Sequence, residues 1–166
     1  MTDLKEFYDP DTVELMYWIG NKTSPEDSFA GRHLTNHPHF EDKALRERTV
    51  QVYQIYARRK PDEVYRILKS FDTSYIILED SICLAKSDGC RLPDLIDLDN
   101  WHIPDNGYSP VYGLRKSETP RFCDEIRRDG SEYTKFFKLV LQNRTFRMCP
   151  SSCLLIGFRR YIVPII

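Results

Sequence analysis

No stretch of this chain approaches the ~18 to 20 consecutive apolar residues that a membrane-spanning helix needs. The opening MTDLKEFYD begins acidic and has no apolar core of the secretory-signal kind. On those features alone the sequence predicts a cytosolic polypeptide. An excess of charge of either sign is also missing. Twenty-four basic residues face 25 acidic ones for a net charge of −1, so no whole-molecule field draws the chain to nucleic acid or to an anionic membrane. HExxH, CxxC and glycine-rich phosphate loops are all absent, which removes the usual signatures of zinc hydrolysis and nucleotide binding. No internal repeat or low-complexity tract occurs. What remains is the composition of a globular domain: 166 residues, 41% hydrophobic and 30% charged, enough for one sizeable core.

Some features that are present pull away from the cytosol. Asn21-Lys22-Thr23 and Asn143-Arg144-Thr145 match the N-glycosylation acceptor, and Cys83 and Cys90 bracket a short loop in a way that suits a disulfide. Five cysteines leave at least one thiol unpaired in a monomer.

Local patterns predict an α/β fold. In YDPDTVELMYWIG, Asp9 is placed as an N-cap, Pro10 as the first helical residue and Gly20 as the stop. DSFAG reads as a brief strand. A helical pattern from Glu41 puts Leu45, Val52, Tyr53 and Tyr56 near one face, with Arg58, Arg59 and Lys60 collecting at the negative end of its dipole. Pro61 opens a further helix whose Val64, Ile67, Leu68 and Phe71 form a core stripe. SYIILEDS has the continuous apolar run of a buried strand, giving a βαβ-like order with a small parallel pair. Residues 81–121 read as a long irregular loop interrupted by one amphipathic piece, PDLIDL, and FFKLVLQNRTFRMC as a hairpin turning at Gln142-Asn143. The expected whole is a small mixed sheet with flanking helices over residues 1–148, followed by an atypical apolar tail over 149–166.

The densest cluster of chemistry-bearing side chains is NHPHFEDKALRERT. His37 and His39 with Glu41 or Asp42 form a conceivable metal set, but the spacing matches no known zinc pattern. Histidine beside carboxylates also suits general acid–base work. A third reading is structural: Pro38 holds an extended turn, and Glu41 and Asp42 answer the positive end of the helix that follows. Glu79-Asp80, at the carboxyl end of a strand, sits where α/β folds often place working acids, though a solvated strand end looks the same in sequence. Cys83 and Cys123 have no neighbouring base that would mark a nucleophile.

From VELMYWI and FAG, through LTNHPHFEDKALRERTVQVYQIYARR, PDEVYRILKSF, YIILEDSIC and GCRLPDLIDLDN, to PRFCDEIRR and FFKLVLQNRTF, the chain resembles the dumpy-nineteen-like (Dpy) protein C-mannosyltransferases. The resemblance covers most of residues 10–148. It implies the lumenal C-terminal domain of an endoplasmic-reticulum glycosyltransferase of the GT-C type. Such enzymes move mannose from dolichyl-phosphate mannose to a ring carbon of tryptophan in Trp-x-x-Trp sequences. It further implies that the family's catalytic acids lie in membrane-associated loops outside this chain, which by itself then resembles an inactive truncated or alternative product with no cofactor of its own. The implied partners are acceptor polypeptides carrying Trp-x-x-Trp and the membrane portion of a family enzyme, with no nucleic acid. His37, His39, Glu41 and Asp42 become candidates for a substrate-facing surface, and Cys83–Cys90 a lumenal disulfide. A non-enzymatic α/β interaction module derived from the same family is the alternative.

Overall fold

In the computed structural model, residues 9–30, 43–86, 91–104 and 114–150 are described. They form a four-stranded mixed sheet with helices on both faces. The strands are β1 (Phe29–Ala30), β2 (Tyr75–Glu79), β3 (Leu141–Gln142) and β4 (Phe146–Pro150), in the order β1-β2-β4-β3. β1 runs parallel to β2, with Phe29 opposite Tyr75 and Ala30 opposite Ile76. β4 runs antiparallel to β2 and forms the terminal hairpin with β3. The expected mixed sheet, parallel pair and C-terminal hairpin are all present.

β2 is apolar throughout because both of its faces are covered. Side chains alternate along a strand, so Ile76 and Leu78 enter the main core while Ile77 faces the other way and packs with Leu15 and Met148. That second face is closed by α1 (Pro10–Lys22), whose Trp18 meets Tyr75 edge-on at 6.0 Å. Asp9 caps α1 by accepting the Asp11 N–H at 3.1 Å, satisfying one of the unpaired donors of a helix start. The helix does not stop at Gly20. It runs two residues further, to Lys22, and is capped by Thr23, whose extended backbone turns its N–H and hydroxyl onto the Ile19 carbonyl at 3.2 and 2.7 Å.

The main core lies under α2 (Lys43–Val52), a 3-10 turn (Tyr53–Tyr56) and α3 (Pro61–Ser70). Val64 and Leu68 of the predicted stripe are fully buried. Three short helices follow: α4 (Asp80–Cys83), α5 (Leu92–Asp99) and α6 (Phe122–Arg127). Within the expected loop of residues 81–121, α5 is the amphipathic piece PDLIDL and α4 adds one short turn at the start, while α6 begins just past its end. α6 has too few residues for a periodic signal, but Phe122, Cys123 and Ile126 are all buried. β4 reaches Pro150, one residue past the expected hairpin, with Cys149 opposite Ile76 and Pro150 opposite Tyr75.

Candidate functional site

α5 buries two acids beside Pro93 and Ile96 and leaves two of its leucines outside. Asp94 and Asp97 point inward at 1% and 0% exposure, whereas Leu95, Leu98 and the following Trp101 are 51%, 40% and 67% exposed. An inward carboxylate is tolerated only where partners replace its lost water. Arg121 meets Asp97 with both arms, at 2.7 and 3.3 Å, and gives a further bond to the Tyr56 carbonyl at 3.2 Å. Arg58 adds its charge 3.9 Å from the same carboxylate and donates to the Thr119 carbonyl at 3.2 Å.

A second polar layer, centred on the Arg59 cation, lies beside this ion cluster. Arg59 Nε donates to Gln54 Oε1 at 2.6 Å and its Nη2 to Asn100 Oδ1 at 2.8 Å, while Asn100 Nδ2 donates to Gln54 Oε1 at 2.8 Å. Residues 54–59, 97–100 and 119–121, distant in sequence, are thus held by charge-assisted hydrogen bonds. Arg58 and Arg59, expected to answer a helix dipole, instead clamp α5. The dipole reading fails because α2 ends at Val52 and the intervening 3-10 turn carries both arginines away from that terminus.

Trp101 has φ 61, the left-handed region. Its N–H bonds Leu98 O at 2.9 Å, the His102 N–H bonds Asp97 O at 2.7 Å, and its own carbonyl accepts from Arg115 N at 3.0 Å. These bonds hold the indole at the end of the Leu95–Leu98 row, facing solvent. The sequence reading passed over Trp101. Its signal was the spacing of Leu95, Leu98 and Trp101 three residues apart, in register beside Asp94 and Asp97.

The strand-end acids are also engaged. Asp80 pairs with Arg147 and lies 3.4 Å from Arg127 Nε. The Glu79 carboxylate accepts from the Ser81 hydroxyl, and its backbone N–H donates to the Tyr56 hydroxyl at 3.0 Å. Burial, with a smaller push from Glu79, raises the Tyr56 phenol well above its ordinary value near 10, and Tyr53 is raised for the same reasons. Tyr133, buried and donating to Asp129 at 2.7 Å, is pushed up to about 12.

The disulfide is not the one expected. Cys83, ending α4, is bonded to Cys123 in the first turn of α6, with Cα atoms 6.1 Å apart and a sequence separation of 40. The expectation of a Cys83–Cys90 link rested on nearness in sequence. The fold instead brings α6 beneath α4, within the Cα separation a disulfide spans. Cys90, His37, His39, Glu41 and Asp42 lie outside the described residues. Asn21 is exposed in the last turn of α1, and Asn143 is half-buried in the β3–β4 turn. Among the described residues no group of three or more His, Cys, Asp or Glu could hold a metal ion, and no helix is long and apolar enough to cross a membrane.

Fold and site together define a disulfide-stapled mixed α/β domain that commits its buried charges to its own scaffold and displays apolar side chains on α5. The pattern of the Dpy19 family, described as Q-cell neuroblast polarisation, matches residues 1–150, and the chain belongs to that family. It is 37% identical to the probable C-mannosyltransferase DPY19L4 of Mus musculus over 88% of this chain and 22% of that protein. It is 32% identical to the protein C-mannosyl-transferase DPY19L1 of Rattus norvegicus, over 86% of this chain and 19% of that one. Against the C-mannosyltransferase dpy-19 of Caenorhabditis elegans it is 29% identical over 60% of this chain and 16% of the relative. The chain thus spans about a fifth of the length of these mannosyltransferases.

Proposed function

We propose that this chain is the lumenal C-terminal domain of a C-mannosyltransferase. In this reading it docks on the membrane-embedded portion of a family enzyme and shapes the groove that receives Trp-x-x-Trp polypeptides. The donor, dolichyl-phosphate mannose, and the catalytic acids belong to that other portion, so the chain alone transfers no mannose. The observation carrying the proposal is the asymmetry of the match, which takes in 88% of this chain but 22% of a relative. A cross-link between Cys83 and Cys123 agrees with an oxidising, lumenal setting.

The row Leu95, Leu98 and Trp101 is the surface assigned to docking. Exposed apolar side chains above an ionic layer are what a covered interface requires, because contact then removes apolar area from water without stripping solvent from a charge. The test is capture of the detergent-solubilised membrane portion of a family member by the full chain. Capture by wild type, and its loss when Leu95, Leu98 and Trp101 are all changed to serine, is the expected result. Equal capture by both removes α5 from the account. No capture by wild type, with binding only to unrelated soluble proteins, favours the interaction-module alternative.

A further inference from the structure

The two sequons, alike in sequence, are unlike in structure. We propose that Asn21 carries an N-linked glycan that lies along the outer face of α1, and that Asn143 carries none. The proposal rests on the lumenal placement above for its biological setting.

At Asn143 every polar atom of the side chain has a structural task. Its Nδ2 donates to the Asp11 carbonyl at 2.9 Å and to Glu14 Oε2 at 3.2 Å, using both amide hydrogens. Its Oδ1 accepts from the N–H groups of Thr145 and Phe146 at 3.1 and 2.7 Å. Thr145, the hydroxyl residue of the same sequon, donates that hydroxyl to Asp11 Oδ2 at 2.6 Å. The turn is thereby fastened to the first turn of α1. A sugar on Nδ2 replaces one of the two hydrogens and drives its bulk into the seam between hairpin and helix.

Asn21 is free of such duties. Its Nδ2 makes one bond, to the Tyr17 carbonyl at 2.7 Å, at an exposed position where water replaces the donor at little cost. Open space surrounds the adjacent backbone: a Cβ built on Gly20 meets nothing within 4 Å. Residues four apart share a helix face, so Tyr17 and Val13 line up behind Asn21, and they are 73% and 48% exposed. The apolar side of the first sugar ring has the Tyr17 ring to rest on, and the glycan screens a strip of α1 that the fold leaves bare. In the transfer the Asn21 amide nitrogen bonds to the anomeric carbon of a lipid-diphosphate-linked oligosaccharide. The bond from that carbon to the diphosphate oxygen breaks, the lipid diphosphate leaves with the electron pair, and the amide loses one proton to the transferring enzyme's base.

The test places the full chain behind an added signal sequence in a eukaryotic secretory cell and reads mobility of total protein before and after peptide-N-glycosidase. The signal sequence supplies the compartment, so failure of the site and failure of the lumenal reading separate. Wild type is expected to lose one glycan on treatment. Asn21→Gln and Thr23→Ala are expected to show no shift, and Asn143→Gln to shift like wild type. Reading total protein keeps the outcome interpretable even where a variant folds poorly. An unshifted wild type, a glycan persisting in Asn21→Gln, or two glycans on wild type overturns the proposal.

Discussion

Asp72, Trp101 and Asp129 have left-handed backbone, with φ of 50, 61 and 54, and each follows the end of a helix. In each case the N–H of the left-handed residue reaches three residues back and the next N–H reaches five back, as from Thr73 to Leu68, His102 to Asp97 and Gly130 to Glu125. This closing motif usually places glycine at the left-handed position. Aspartate tolerates it through its short polar side chain, but tryptophan has no such relief, and a side chain there costs roughly 1–2 kcal/mol. A strained, exposed indole is a residue kept for something other than stability. Trp101→Gly should therefore raise stability by about 1 kcal/mol in denaturant unfolding and at the same time weaken capture of the membrane portion. Lower stability with unchanged capture would show that the indole serves the fold. The sequence placed neither Trp101 nor its conformation, because a turn lacking glycine and proline gives no local sign of positive φ.

At the scale of elements, α1, α3, the β1–β2 pair and the hairpin were legible because each carries its own signal. Asp9-Pro10 opens one helix, Lys60-Pro61 the other, and YIILE has strand character by itself. α5 was legible as a helix but not in its orientation. LPDLIDLD offers a leucine face and an aspartate face, and the ordinary rule sends leucine inward. Ile96 obeys that rule, but arginines 24 residues ahead and 39 behind draw the acid inward beside it, since Asp97 is answered by Arg121 and Arg58. Arg121→Ala should consequently cost about 3–5 kcal/mol, because it strands a buried carboxylate. The double change Asp97→Leu with Arg121→Met, which removes both charges together, should recover most of that loss. Equal losses in single and double variants would mean that packing, not the ion pair, orients α5. The disulfide was misplaced for the same reason as α5: only tertiary contact sets α6 beside Cys83. Closing 40 residues of chain, it should contribute about 4 kcal/mol by restricting the unfolded state. Denaturant unfolding of Cys83→Ser/Cys123→Ser against wild type measures this, and an unchanged midpoint would rule the staple out.

For the molecule as a whole, the family was legible long before the site, because ordered blocks along residues 10–148 carry more information than any one motif. The cluster around His37 and His39 lies outside the described residues, while the surface proposed for docking lies on the amphipathic piece PDLIDL and the Trp101 that follows it. Buried charges here serve cohesion: Asp97 binds three chain segments, and Asp80 joins β4 to α6 through Arg147 and Arg127. Among the described residues, the apolar row on α5 and the exposed sequon on α1 are the outward features on which the proposed covering and positioning role rests. The most direct test is mannose transfer from dolichyl-phosphate mannose to a Trp-x-x-Trp peptide by the purified chain. The account predicts no product above a no-enzyme control, and sustained turnover by this chain alone would contradict it.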